Sequence, residues 1–146
     1  MAVSADRTLA DKKIELPKAA APVANYVPVV MAGGLAFVSG QVTVWNGEFK
    51  FIGKLGKEFT VEQGQQAARI CGLNILAQIK AALGGDLDRV KRCVKLNVLV
   101  NSLADFTEQP KVGEESLQFA QDWANKLSDQ VTLKMRDELK KRGHQL

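Results

Sequence analysis

Apolar residues along this chain follow two different periods, and the switches between them mark its elements. The longest helical stripe is Ala67, Cys71, Ile75, Ile79 and Leu83, with Ala68, Leu76 and Ala82 beside it. That spacing lays side chains along one face of a helix. Thr60-Val61-Glu62-Gln63 precedes the stripe. It predicts a capping box, in which the Thr60 hydroxyl accepts from the Gln63 amide and the Gln63 side chain reaches back. Gly84-Gly85 predicts the stop, because a left-handed residue after a helix is least strained as glycine.

Elsewhere the period is two, or the run is apolar throughout. Tyr26–Met31 predicts a strand, with Pro28 placing it at an edge or a bulge. Gly33-Gly34 predicts a tight hairpin, since both residues accept positive φ. The returning stretch is Leu35–Val44, L-A-F-V-S-G-Q-V-T-V. Leu35 and Phe37 point to one face, Ala36 and Val38 to the other. Both faces are apolar, which predicts a covered interior strand. Trp45-Asn46-Gly47-Glu48 predicts a second turn of type I′, with Glu48–Ile52 pairing back and Gly53–Lys57 as loop. Leu87–Val90 predicts a turn. Val94, Leu96, Val98 and Val100 alternate with Lys95, Asn97 and Leu99, the pattern of a half-buried strand.

The two ends are different in character. Ser4 predicts the cap of a short helix, Ala5–Lys13, which needs packing to persist. Ile14-Glu15-Leu16 reads as a short strand, and Pro17 and Pro22 bracket an extended link. Ser102-Leu103-Ala104-Asp105 reads as a helix start, interrupted or kinked at Pro110. From Gly113 there is no β-type alternation. Leu117, Ala120, Ala124, Leu127 and Val131, with Trp123, Met135 and Leu139 near them, predict one or two amphipathic helices over Glu114–Lys141. The expected organisation is a single domain over residues 1–146, with its core at 14–112 and a helical segment at 113–146.

Composition narrows the function classes. The chain has 146 residues, 46% hydrophobic and 25% charged, which favours a packed domain over disorder. No apolar run approaches the roughly 18 residues of a membrane helix. Met1–Lys13 lacks the apolar centre of a secretory signal. The expectation is a cytoplasmic protein without a membrane partner. Cys71 and Cys93 are too few and too far apart for a disulfide framework or a zinc site. They read as reduced thiols, and no metal or cofactor is expected. Net charge is +4 and the pI about 9.1, but aromatics are only 6% of the chain. That pairing does not favour a nucleic-acid partner. His144, the single histidine, lies in the terminal tail.

One polar island stands inside an apolar strand: Ser39-Gly40-Gln41. Glycine weakens a strand interior and marks a bulge or the close approach of another group, so this is the first candidate site. The run ANYVPVV, then GGLAFVSGQV, then TVEQGQQAAR, then DLDRVKRCVKLNV, then ADF resembles the RidA (YjgF/YER057c/UK114) family over about residues 16–112. The resemblance implies an α+β fold like that of chorismate mutase, a mixed sheet with helices packed on one face. In this chain the final family strands look replaced by the C-terminal helical segment. It also implies a homotrimer with ligand clefts between subunits.

The implied activity is hydrolysis of enamine and imine intermediates of amino-acid metabolism to 2-keto acids and ammonia. The implied partner is thus a small imino or keto acid, and no cofactor. By the same resemblance Tyr26, Ser39, Gly40 and Gln41 are the substrate-binding candidates, with no catalytic residue carried over. Family members grip the substrate carboxylate with an arginine on a later strand. Here no arginine occurs between Arg92 and Arg136, and Pro110 stands where family members often have asparagine. Two other function classes remain open. One is a non-catalytic ligand-binding or interaction protein that uses the C-terminal amphipathic helix. The other is RNA binding or endoribonuclease activity.

Overall fold

The computed structural model describes residues 4–22 and 25–114. The predicted helix over residues 114–141, and with it the replacement of family strands, lies outside the described residues apart from its first position.

Local chemistry sets most of the element boundaries. Helix α1 (Ala5–Asp11) starts where Ser4 accepts from the Arg7 amide. Strand β1 (Val29–Ala32) begins one residue after Pro28, which has no N–H to give a ladder. Gly33 and Gly34 both take positive φ, 55° and 76°, and turn the chain into β2 (Leu35–Val38). The hairpin is antiparallel, with Val29 opposite Val38 and Ala32 opposite Leu35. Strand β3 (Val44–Trp45) pairs with β4 (Glu48–Phe49) across an Asn46-Gly47 turn, both residues again at positive φ. The predicted return strand to Ile52 is thus shorter as a ladder, although Lys50 N–H still bonds the Thr43 carbonyl.

Helix α2 (Val61–Ala82) carries the expected capping box at Thr60. It ends at Leu83, and Gly84 and Gly85 follow with positive φ. A 3-10 turn at Leu87–Arg89 comes next.

Two buried clusters lean on α2. In the first, Leu76 of α2 meets Ala5 and Leu9 of α1 and Leu87 of the 3-10 turn, which is fully buried. In the second, Ala68 of α2 meets Leu55 and Val112. Gly64 allows this approach: a Cβ there would stand 2.7 Å from a Leu55 methyl. Through its middle α2 is buried on more sides than one stripe allows. Leu73, Asn74, Leu76, Ala77 and Gln78 are all buried, while Ile75 and Ile79 are only half-buried.

Several expectations are corrected. Ile14 and Leu16 form no strand; their alternation instead sets both side chains against the first cluster. Strand β2 is not a covered interior strand. Among the described residues its sheet has two strands, and Phe37 is 57% exposed. Val94–Val100 joins no ladder among the described residues, and Leu99 is 97% exposed there. A strand cannot pair without a neighbour in register, and among the described residues no strand is paired with this stretch. Ser102 does not open a helix but bridges Leu55. Helical residues start at 109, so Pro110 falls in a first turn, where its missing N–H has no partner to lose.

Leu87 is the side chain on which the first cluster closes. Leu87→Ala is expected to cost about 2–5 kcal/mol of unfolding free energy, measurable as a lower midpoint in urea denaturation.

Candidate functional site

The hairpin positions the candidate site. Ser39 N–H donates to the Pro28 carbonyl at 2.9 Å, one step beyond the Val29–Val38 pair. That bond closes the ladder at its open end, opposite the glycine turn. Tyr26 lies two residues before this pairing, so the hairpin brings the tyrosine segment and the polar island to the same end. Tyr26 is 44% exposed.

Beyond Ser39 the chain leaves the ladder until β3. Leu35–Val44, expected as one strand with a polar break, is interrupted completely, with β2 ending at Val38 and β3 starting at Val44. Gly40 is exposed, with open space where a Cβ would stand. Gln41 folds back, its side-chain N–H donating to the Ser39 carbonyl at 3.2 Å. The Ser39 hydroxyl oxygen is buried and has no hydrogen-bond partner among the described residues. A buried polar atom left unpaired is costly. This is the one such side-chain oxygen or nitrogen among the described residues.

Sequence reasoning missed what holds the far end of this loop. Asn74, on α2, is buried and donates to the Val44 carbonyl at 2.7 Å. The signal was present: Asn74 and Gln78 are polar residues one turn apart among Leu73, Leu76 and Ala77. The apolar stripe drew attention to the wrong face.

A separate open cleft of about 730 Å³ lies at the start of α2, lined among others by Phe59, Phe106, Lys57, Glu62 and Lys111. It includes none of the four candidate residues. Its charges are satisfied locally. Lys111 pairs with Glu108, whose hydrogen bond and charge raise the lysine above its ordinary value, and Lys57 pairs with Glu58. Lys54 N–H and Lys57 hold the Glu58 carboxyl below the ordinary carboxylate range. Cys71 is half-buried, and burial pushes its thiol up, away from the reactive thiolate. No cluster of three metal-ligating side chains occurs among the described residues. Nor is any helix among them long and apolar enough to cross a membrane.

The family model described as "YjgF/chorismate_mutase-like, putative endoribonuclease" matches residues 6–124. The chain belongs to the RidA/YjgF family. The match starts earlier than Leu16 and continues past Val112, beyond the limits set by the sequence motifs. Protein TCP17 of Trypanosoma cruzi is 54% identical over 99 residues, 68% of this chain. The chain spans 61% of the length of that relative. Among solved structures, Atu1372 of Agrobacterium tumefaciens, of unknown function, superposes with a TM-score of 0.73 at 36% identity. That likeness covers 83% of this chain and 74% of the other. A protein of Shewanella oneidensis MR-1 described as a "putative endoribonuclease" gives 0.76 at 31% identity, over 86% of this chain and 80% of its own. The RidA-family fold is therefore the α+β, chorismate-mutase-like one that the motifs implied.

In this RidA-family chain the Ser39 hydroxyl makes no hydrogen bond among the described residues. Ser39→Ala is expected to leave the free protein equally stable, or more stable by about 1 kcal/mol, because no bond is lost and an unpaired polar atom is removed. Thermal unfolding without ligand checks this; a loss of stability means that Ser39 has a partner within the folded chain.

Proposed function

We propose that this chain binds a small 2-imino or 2-keto acid at the loop Ser39-Gly40-Gln41, beside Tyr26, and hydrolyses the imine. The single observation that carries the reading is the buried Ser39 hydroxyl with no partner among the described residues, next to an uncrowded Gly40. A hydroxyl both donates and accepts, so it suits a carbonyl oxygen or a water placed against one. Gly40 lets backbone approach the ligand closely. Family membership supports small-molecule binding in general.

The chemistry asks little of the protein. An iminium carbon is already electrophilic. Water adds to it, a proton moves to nitrogen, and the C–N bond breaks to leave the 2-keto acid and an ammonium ion. The protein's share is to hold the acid and place the water. A guanidinium is the best grip on a carboxylate, being planar, bidentate and always charged. The absence of arginine between Arg92 and Arg136 therefore sets a slower rate.

The test is to generate 2-iminopropionate in situ and follow pyruvate release. The expected rate is above buffer but about 10–100-fold below that of an arginine-bearing family member, the worth of one charge-assisted hydrogen bond. Ser39→Ala lowers it further. Release no faster than in buffer removes the catalytic reading.

The subunit is also proposed to work as a homo-oligomer, trimeric by family resemblance. Val30, Met31, Leu35 and Phe37 of the hairpin are exposed large apolar residues, a group that marks an interaction surface. Native mass spectrometry at micromolar concentration is expected to give a multiple of 15.9 kDa, three for the trimer; a monomer alone overturns this.

An endoribonuclease reading has weaker support. Arg89, Lys91, Arg92 and Lys95 are exposed together, but no aromatic side chain is interleaved with them for base stacking.

A further inference from the structure

Helix α2 buries two carboxamides one turn apart, Asn74 at 5% exposure and Gln78 at 6%. Buried amides are retained where their hydrogen bonds are satisfied, and both of these reach outside the helix. Gln78 Nε2 donates to the Ala20 carbonyl of the N-terminal link at 2.8 Å. Asn74 Nδ2 lies 2.7 Å from the Val44 carbonyl oxygen, 3.3 Å from that of Val42 and 3.1 Å from that of Ile70 in its own helix. All three neighbours are acceptors, so the amide orientation is settled: nitrogen faces them. The nitrogen has two hydrogens. Three acceptors thus share two hydrogens, with the Val44 carbonyl the nearest.

The place where Asn74 bonds has its own geometry. Val44 N–H donates to the Val42 carbonyl at 2.8 Å, a three-residue turn centred on Thr43. That turn redirects the chain into β3 just after Ser39-Gly40-Gln41. The loop between β2 and β3 is therefore held at both ends, and Thr43 is also tied to the stretch after β4, its carbonyl accepting from Lys50 N–H at 2.9 Å and its hydroxyl donating to the Phe51 carbonyl at 3.0 Å. Upstream, Ser39 N–H bonds the Pro28 carbonyl. Downstream, Asn74 grips both carbonyls that flank Thr43. Between them, the Gln41 side chain donates to the Ser39 carbonyl within the loop itself.

We propose that Asn74 is a positioning residue for the Ser39-Gly40-Gln41 site, its carboxamide pinning the 42–44 turn so that Gly40 and Gln41 are held in place for a ligand. The proposal deepens the small-acid-binding reading and rests on it. The position calls for a neutral double donor. Leucine has the size but no donor, so both carbonyls lose the side-chain donor, and Val42 keeps only the Val44 N–H of the turn itself. Aspartate has the shape but sets a carboxylate against them.

The experiment compares Asn74→Leu with Gln78→Leu. Both remove a buried carboxamide from the same helix, one turn apart, but Gln78 holds the N-terminal link instead of the loop. Two readouts are taken on the full chain. One is amide hydrogen exchange of peptides covering residues 39–45 and 61–82. The other is the pyruvate dissociation constant by NMR titration. Asn74→Leu is expected to speed exchange at 39–45 by about tenfold or more relative to Gln78→Leu, with α2 protected equally in both. Pyruvate affinity is expected to fall about tenfold in Asn74→Leu and to stay near wild type in Gln78→Leu.

If Asn74→Leu does not fold, Asn74→Ser replaces it. A helical serine bonds back to its own turn, which leaves the Val42 and Val44 carbonyls without a donor from the helix, and the same exchange pattern is expected. Equal exchange at 39–45 in the Asn74 and Gln78 variants overturns the positioning role. Wild-type protein that binds no pyruvate overturns the functional reading instead, and the exchange comparison still decides the role of Asn74.

Discussion

The burial of one helix on several sides is the constraint on which the described structure depends. Helix α2 supplies Leu76 to the cluster with Ala5, Leu9 and Leu87, and Ala68 to the cluster with Leu55 and Val112. On a third side Asn74 holds the turn at Thr43. A single apolar stripe serves a helix that lies on one surface. A helix that is walled by a second helix, a loop cluster and a hairpin needs small residues for close approach and donors for carbonyls that have no ladder. Gly64 meets the first need, against Leu55, and Asn74 and Gln78 meet the second.

The sheet is the complementary half of this arrangement. Among the described residues its strands pair only in twos, and the hairpin leaves Phe37, Met31 and Leu35 exposed. Apolar area left in water is unfavourable by about 25 cal/mol per Å², so such a face gains from being covered. The same reasoning applies to Val94, Val98 and Leu99, exposed on a stretch whose alternation is that of a strand. The subunit association proposed above is one way to cover these faces.

The candidate site shows how positioning and chemistry divide between residues. Ser39 offers the unpartnered hydroxyl, Gly40 the uncrowded backbone and Tyr26 an exposed ring. None of these defines its own location. The Pro28 carbonyl holds one end of the loop and the Asn74 carboxamide helps to hold the other, each by bonds to backbone groups of the loop.

Much of the fold was legible in the sequence where the cause is local. The capping box at Thr60, the two glycine turns, the Asn46-Gly47 turn and the Ser4 cap were all legible because each is set by a few neighbouring dihedrals and hydrogen bonds. The polar island was legible as well, since a Ser-Gly-Gln break inside an apolar run needs only the strand period to stand out. What only the tertiary structure decided depends on which surfaces meet. It set Ile14 and Leu16 against a core instead of into a ladder, left β2 exposed, and left Val94–Val100 without a partner among the described residues. It also turned Asn74 inward to hold a loop far away in sequence. Periodicity says that a residue faces something; only packing says what that something is, because the partner is chosen by contacts that no local pattern encodes.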